Sequence, residues 1–115
     1  MNPSHSSTLK IMPDYFCWPL WRSENGMYDN LHPEELGFPA HLCEALIQWS
    51  EEFDAILNQD DPARSDFPSP EAKTAFVETG MRLAQEVKAL VQDRHVVLYF
   101  DLLQNRAFEV HIKQP

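Results

Sequence analysis

The fold is indicated by SPEAKTAFVETGMRLAQEVKALVQDRHVVLYFDLL, residues 69–103. The spacing of its apolar residues changes from that of a helix to that of a strand. Apolar residues, with one glycine among them, recur in the first part at spacings of three and four: Phe76, Gly80, Leu83, Val87 and Leu90. This spacing predicts an amphipathic helix over 70–92, with Ser69 as its N-cap and Pro70 at its first position. The run 95–103 is β-branched and aromatic, which predicts a strand. A helix that packs on a sheet is typical of the α+β class.

Gly80 lies on the apolar stripe of this helix and not on its solvent face. A glycine inside a helix costs about 1 kcal/mol of helix stability relative to alanine. Its position therefore predicts that a neighbouring backbone or a bulky side chain approaches the helix closely there.

A second amphipathic helix is predicted over 39–58. Its apolar stripe has the same spacing: Leu42, Leu46, Trp49, Phe53 and Ile56. Alternating residues predict two more strands, and the segment 104–106 fits a hairpin loop before the last of them. We therefore expect an α+β two-layer domain. It has a small, mostly antiparallel sheet of about three strands (8–12, 95–103, 107–113), with the two long helices (39–58, 70–92) on one face.

The length of 115 residues is typical of a single domain, which we expect to span 1–115 with residues 1–7 disordered. The N-terminus lacks the basic and apolar regions of a secretory signal, and no run of about eighteen apolar residues occurs. These features predict a cytoplasmic protein that does not bind membranes. Cys17 and Cys43 lack CxxC spacing, so we expect buried, reduced thiols and not a disulfide or a metal site.

The net charge of −9 comes from one segment of the chain. Between Arg22 and Arg64 there is no lysine or arginine, whereas ten acids occur there: Glu24, Asp29, Glu34, Glu35, Glu44, Glu51, Glu52, Asp54, Asp60 and Asp61. A one-signed field of this kind repels nucleic acid and anionic membranes and attracts basic partners. Charge alone also fits a solvated helix face that only aids solubility, and it slightly favours that interpretation.

The run KIMPDYFCWPLW, residues 10–21, is dense in aromatic residues and has two interpretations. As an interface, it would present hot-spot side chains: Tyr15, Phe16, Trp18 and Trp21. As core, Ile11, Cys17, Leu20 and some of the aromatic rings would cover the two helix stripes, and Pro13 and Pro19 would fix the path of the chain. Core packing is favoured, because a sheet of three strands is small for two apolar helices. Asp14 and one tryptophan are then expected at the surface.

No catalytic or cofactor motif occurs in the sequence. The five histidines form no HExxH-type pair, and three glycines are too few for phosphate-binding loops. The acid pairs 34–35 and 51–52 point to different sides of a helix, which disfavours a shared acid–base site. Asp60 and Asp61 could bind a divalent cation, but two carboxylates before a proline more often form a turn. We expect no enzyme activity, no cofactor and no metal.

Three stretches resemble a family of small bacterial proteins: MPDYFCWPLW at 12–21, NLHPEEL at 30–36 and WSEEFDAILNQDDPARSDFPSPEA at 49–72. The resemblance covers about half of the chain and is specific because the three blocks occur in order. It implies a relationship to immunity proteins of polymorphic toxin systems, including contact-dependent growth inhibition. In such systems a small cytoplasmic protein binds the toxin domain of an effector from a sibling cell and blocks its active site.

Immunity to a basic nuclease that cleaves RNA or DNA is the leading hypothesis, because the resemblance and the charge converge on it. An acidic protein can occupy a basic cleft in place of the phosphate backbone. The predicted toxin-binding surface consists of acids from the first long helix, the following loop and the Pro-Glu turn: Glu44, Glu51, Glu52, Asp54, Asp60, Asp61, Glu34 and Glu35.

Two rival hypotheses remain open from the sequence. A small-molecule or metal-binding domain would use a pocket beside the aromatic run, lined by Asp14, Tyr15, Asp54 and Asn58. An antitoxin or adaptor that binds a protein other than a nuclease would use the same acidic helix.

Overall fold

Within the residues that the structure describes, two long helices and five strands pack around a common core. The computed structural model describes residues 7–112. The strands are β1 Ser7–Ile11, β2 Leu20–Ser23, β3 Tyr28–Leu31, β4 His95–Asp101 and β5 Arg106–Glu109. The long helices are α1 Ala40–Ala55 and α2 Pro70–Val91, and short 3₁₀ helices occur at Pro33–Leu36, Pro62–Arg64 and Gln92–Arg94.

The strands form one mixed sheet in the order β3-β2-β1-β4-β5. β1 pairs in parallel with β4, and the other pairs are antiparallel. Leu9 lies opposite Val97 and Ile11 lies opposite Tyr99, and all four side chains are buried. Because alternate residues of a strand share a face, these residues mark the face that α1 and α2 cover. The α+β class is confirmed.

The prediction of about three mostly antiparallel strands is wrong in number and in pairing. β2 and β3 are missed because only Leu20 and Leu31 among their residues are buried, so the hydrophobic alternation is too short to register. The dipeptide Asn25-Gly26 between them is the signal that could have found them, since it is typical of hairpin turns. Gly26 has a φ of 84°. The parallel pair β1–β4 joins strands that are far apart in the chain. Local periodicity carries no information on such a pairing, so the prediction missed it.

The predicted strand boundaries also shift. β1 covers 7–11 and not 8–12, and buried Ser7 contradicts disorder at that position; residues 1–6 lie outside the described residues. β4 ends before 103 because the Asp101 carboxylate accepts hydrogen bonds from the backbone N–H groups that follow, at 103 and 104. β5 covers 106–109 and not 107–113, and the last residue of that prediction lies outside the described residues.

The two predicted helices are confirmed with shorter C-terminal ends. α1 is predicted to continue to 58, but the N–H groups of Ile56 and Leu57 bond to carbonyl oxygens only three residues back, the tight geometry that closes a helix. α2 begins as predicted: the Ser69 hydroxyl oxygen accepts a hydrogen bond from the Ala72 N–H at 3.0 Å. Gln92 ends α2 because its φ of 50° is not helical.

One contact at the centre of the core joins α1, α2 and β4. Trp49 stacks on Phe76 with ring centroids 4.6 Å apart and donates its indole N–H to the Phe76 carbonyl oxygen at 2.9 Å. The Tyr99 hydroxyl donates to the Val77 carbonyl oxygen at 2.7 Å. Gly80 lies against both side chains, so that a Cβ atom there would overlap the Trp49 indole and the Tyr99 hydroxyl. The close approach predicted at Gly80 is confirmed.

Replacing Gly80 by alanine is expected to destabilise the fold, although alanine favours helices. Helix propensity would add about 1 kcal/mol, but the methyl group must displace two buried ring systems. Overpacking a core costs about 1–3 kcal/mol, so urea unfolding should show a net loss of up to about 2 kcal/mol. Ala89→Gly, at an exposed position of α2, is the control for propensity alone. A more stable Gly80→Ala variant would contradict this packing.

Polar groups tie the start of β4 to β1 and α2. His95 Nδ1 lies 2.7 Å from the Ser7 hydroxyl oxygen. Lys88 is buried and donates to the carbonyl oxygens of Gln92 and His95 at 2.8 and 3.0 Å. Burial lowers the pKa of His95, and a hydrogen bond with the backbone of Ser7 acts in the opposite direction. The folded protein therefore favours the neutral imidazole.

The lowered pKa of His95 predicts a loss of stability in mild acid. In the unfolded chain the imidazole returns to its ordinary pKa of about 6.5, so below that pH the unfolded state binds more protons than the folded state. The contribution of His95 is complete above about pH 6.5 and is lost as the pH falls toward the folded-state pKa. Thermal unfolding over roughly pH 7 to 5 should show a flatter pH dependence for His95→Gln than for the wild type. Identical slopes would speak against this role.

Candidate functional site

The segment Met12–Pro19, which we call the aromatic loop, connects β1 to β2 and folds back on itself. The Met12 N–H donates to the Pro19 carbonyl oxygen at 3.0 Å. The Trp21 indole N–H donates to the Met12 carbonyl oxygen at 3.1 Å. These two bonds hold the ends of the loop together at the edge of β1 and β2.

Asn30 on β3 fixes the second half of the aromatic loop. Its side-chain oxygen accepts a hydrogen bond from the Trp18 N–H at 2.9 Å. Its amide nitrogen donates to the carbonyl oxygens of Trp18 and Leu20, at 2.6 and 3.1 Å. One side chain therefore satisfies three backbone groups, as a neighbouring strand would.

The C-terminal end of α1 fixes the first half of the loop. Tyr15 stacks on Phe53 with ring centroids 4.5 Å apart. Asp54 Oδ1 accepts a hydrogen bond from the Phe16 N–H at 2.8 Å. The Asp54 carboxylate, predicted as part of a toxin-binding surface, therefore also positions the loop.

Two aromatic side chains of the loop point away from this support. Phe16 is 71% exposed and Trp18 is 44% exposed. Phe16 has a φ of 58°, a left-handed conformation that is costly for residues with a Cβ atom. The expectation of Asp14 and one tryptophan at the surface is confirmed, with Trp18 as the tryptophan. Phe16 is a further exposed aromatic residue, which this expectation did not include.

The short helix Pro33–Leu36 begins beside Trp18 with a reciprocal cap. His32 Nδ1 accepts a hydrogen bond from the Glu34 N–H at 3.0 Å, and the Glu35 carboxylate accepts one from the His32 N–H at 2.9 Å. The His32 ring lies edge-on to the Trp18 ring, 5.4 Å between centroids. The Glu35 carboxylate is thus used within the protein, whereas the Glu34 carboxylate is exposed.

Helical spacing divides the predicted acids of α1 between two sides. At about 100° per residue, Glu44 and Glu51 lie within about 20° of each other around α1. Asp54 lies about 60° further round, on the side that meets the aromatic loop. Glu52 is in line with His41, three turns earlier, where His41 Nε2 lies 3.9 Å from a carboxylate oxygen of Glu86 on α2. Glu52 therefore lies on the α2 side of Glu44, about 80° from it around the helix axis, and Asp54 lies on the other side.

A shallow depression of about 400 Å³ separates α1 from the short helix Pro33–Leu36. Its lining residues are His32, Glu34, Cys43, Glu44, Ile47 and Gln48. Glu34 and Glu44, predicted from separate parts of the sequence, thus meet at one place, and the contact between His32 and Trp18 puts the aromatic loop next to it. We call this depression the acidic depression.

Asp60 and Asp61 belong to a turn of their own after α1. Both N–H groups donate to the side-chain oxygen of Asn58 at 3.0 Å. Asp61 Oδ2 also lies 3.3 Å from Nε of Arg64. The interpretation of these acids as turn formers is confirmed, and the charge of Asp61 is partly balanced within the turn.

In the rival pocket of Asp14, Tyr15, Asp54 and Asn58, three of the four side chains accept a backbone hydrogen bond. The Asp14 carboxylate accepts a hydrogen bond from the Tyr15 N–H at 2.8 Å, and the carboxylate of Asp54 and the amide of Asn58 likewise accept from backbone N–H groups. Among residues 7–112, no group of three or more His, Cys, Asp or Glu side chains could hold a metal ion.

Both cysteines are free thiols, as expected. Cys43 is buried, but Cys17 is only half-buried, so the prediction of burial is confirmed for Cys43 alone. Burial and then the neighbouring carboxylates raise both pKa values, with Asp14 acting on Cys17 and Glu34 on Cys43. Both thiols are therefore protonated and weakly nucleophilic at neutral pH.

The sequence profile of the family described as Serratia CdiI immunity protein-like matches residues 7–102, which include the aromatic loop, α1, α2 and β4. The chain belongs to this family. No curated protein matches the chain. Membership of the CdiI-like family supports an immunity protein whose partner is a cognate toxin, and it favours a non-enzymatic inhibitor. The immunity-protein resemblance is confirmed at this level, while the MPDYxCxPLW pattern as the family signature stays a prediction.

In the part of this CdiI-like protein that the structure describes, no helix is both long and apolar enough to cross a membrane.

The role of Asp54 in holding the aromatic loop predicts different results for two substitutions. Asp54→Ala removes the acceptor for the Phe16 N–H and should cost about 1 kcal/mol of stability, whereas Asp54→Asn keeps a side-chain oxygen there. Chymotrypsin should cleave after Phe16 faster in Asp54→Ala than in the wild type or in Asp54→Asn. Glu51→Ala, at an exposed position of α1, is the control. Equal cleavage of all four proteins would refute the anchoring role.

Proposed function

We propose that the protein neutralises a toxin with basic nuclease activity by covering its active-site cleft with the acidic surface around α1. The observation that carries this proposal is the meeting of Glu34 and Glu44 at the acidic depression. It lies within the segment 23–63, which has no lysine or arginine. Family membership supports a toxin as partner, and the charge supports a basic one.

A nuclease cleft suits such a partner for a physical reason. The cleft must attract the phosphate backbone, so it presents cationic side chains that carboxylates can contact in its place. Opposite fields on the two surfaces also steer the proteins together and raise the association rate, most strongly at low salt. Blocking the cleft needs no chemistry on the inhibitor, which fits a protein that acts by binding alone.

The predicted surface acids have different roles in this proposal. Glu34, Glu44, Glu51 and Glu52 are exposed and are the candidates for direct contact with the toxin. The carboxylates of Glu35, Asp54 and Asp61 already bind groups of this protein, so they contribute through the field and through local structure. Exposed Asp60 would lie at the periphery of the surface.

The proposed site of action is the cytoplasm, where a nuclease toxin would meet nucleic acid. The same negative field disfavours direct binding of nucleic acid or anionic membranes by the inhibitor. A toxin of another class would also need a basic surface that fits the acidic surface of this protein. The association kinetics of the charge variants test that contact whether or not the toxin is a nuclease.

Removing charge from the acidic surface should slow association with the toxin. In Glu44→Gln/Glu51→Gln, the association rate constant with the toxin domain encoded immediately upstream should fall several-fold and become less sensitive to salt. Surface plasmon resonance at two salt concentrations measures both effects. Glu71→Gln/Glu78→Gln is the matched control, because it removes the same charge from exposed positions of α2.

The kinetics of the two double variants distinguish a local surface from the overall charge. Equal slowing in both would show that net charge alone acts, and unchanged kinetics in Glu44→Gln/Glu51→Gln would exclude this surface. A toxin domain that forms no complex with the wild type would exclude the proposed function itself. A complex in which nuclease activity continues would exclude blockage of the cleft.

A further inference from the structure

Phe16 places a large apolar side chain where neither the core nor the backbone requires one. The stacking contact with α1 is made by its neighbour Tyr15, and the Phe16 side chain is 71% exposed. Its φ of 58° lies in a region that glycine or asparagine enters more easily. An exposed aromatic side chain on a strained backbone, held by the rest of the fold, points to a function of that side chain.

The backbone beneath Phe16 and Trp18 is held before any partner arrives. The Phe16 N–H is bound to Asp54, and both backbone polar groups of Trp18 are bound to Asn30. Aromatic side chains have few rotatable bonds, so a pair presented on a fixed backbone loses little conformational entropy on binding. This is the arrangement expected of interface anchors, which are enriched in aromatic residues.

The groups around the anchors indicate the chemistry of the partner. The exposed carboxylate of Asp14 lies in the same loop, and the acidic depression lies beside Trp18 through its contact with His32. Carboxylates of Glu34 and Glu44 border that depression, and Ile47 contributes apolar surface to it. A lysine or arginine suits such a site, since its aliphatic stem packs on apolar groups while its charge meets carboxylates and an aromatic ring.

We propose that Phe16 and Trp18 are the principal anchors for the cognate toxin. The two rings contact an apolar patch on the toxin that is bordered by lysine and arginine, and one basic side chain of the toxin enters the acidic depression between Glu34 and Glu44. This inference rests on the proposed function and deepens it. It moves the centre of the interface from the acids of α1 to the aromatic loop, and it assigns the acids to the surrounding rim.

Anchors and rim should affect different rate constants. Truncating a buried anchor mainly accelerates dissociation, whereas removing rim charge mainly slows association. The aromatic loop should therefore control the lifetime of the complex, and Glu34 and Glu44 should control how fast it forms.

The experiment measures binding of the full chain to a catalytically inactive form of the toxin domain encoded immediately upstream. Phe16→Ala and Trp18→Ala should each weaken binding by about 30-fold or more, chiefly through faster dissociation. Met27→Ala and Leu103→Ala are matched controls, because these apolar side chains are 80% and 52% exposed on other turns. The controls should bind like the wild type. Glu34→Gln/Glu44→Gln should slow association and should accelerate dissociation less than either anchor variant does.

Phe16→Gly separates binding from folding. Glycine relieves the left-handed strain and removes no packed side chain, so its melting temperature should equal or exceed that of the wild type while binding is lost. Wild-type affinity in Phe16→Gly and Trp18→Ala would overturn the anchor assignment and leave the acidic inhibitor intact. A wild-type protein that does not bind the toxin would overturn both proposals. Equal loss of binding in the Met27→Ala and Leu103→Ala controls would also overturn the assignment.

Discussion

The absence of a side chain at Gly80 sets the distance between the helices and the sheet. Because no Cβ atom intervenes, the Trp49 indole and the Tyr99 hydroxyl both reach the surface of α2. Each then donates a hydrogen bond to a backbone carbonyl oxygen of that helix, one at Phe76 and one at Val77. The buried polar atoms of two large aromatic residues are thereby satisfied, which removes the main penalty for burying them. A single close contact thus fixes α1, α2 and β4 relative to one another.

The position of the aromatic loop follows from that arrangement. Phe53 and Asp54 come one turn after Trp49 on α1, so the contact that places Trp49 also places the residues that hold Tyr15 and the Phe16 backbone. On the other side, β3 supplies Asn30 through its pairing with β2. The loop is therefore supported by a helix end and a strand at once. Its inward residues complete the core, and its outward rings meet solvent.

The acids of this CdiI-like protein contribute in two distinct ways. Some carboxylates stabilise local structure by accepting backbone hydrogen bonds, as Glu35 does at the cap of a short helix and Asp54 does at the aromatic loop. Glu34 and Glu44 border an open depression next to exposed aromatic rings. Exposed charges act at long range and are weakened by salt, whereas apolar anchors act only on contact. A surface with both can meet its partner quickly and then retain it, which is what inhibition of a toxin demands.

The sequence by itself determined the α+β class, both long helices, the Ser69 cap, the close approach at Gly80 and the concentration of negative charge in one segment. These features depend on local spacing, on capping chemistry and on composition. All three can be read from residues that are close together in the chain. Only the tertiary structure decided the five-stranded mixed sheet, because β2 and β3 bury too few side chains to show a pattern and the β1–β4 pair joins distant segments. It also decided that Phe16 points outward and that Glu34 and Glu44 border the same depression. Both outcomes depend on side chains of other elements, Asp54 for the first and the packing of α1 beside the Pro33–Leu36 helix for the second.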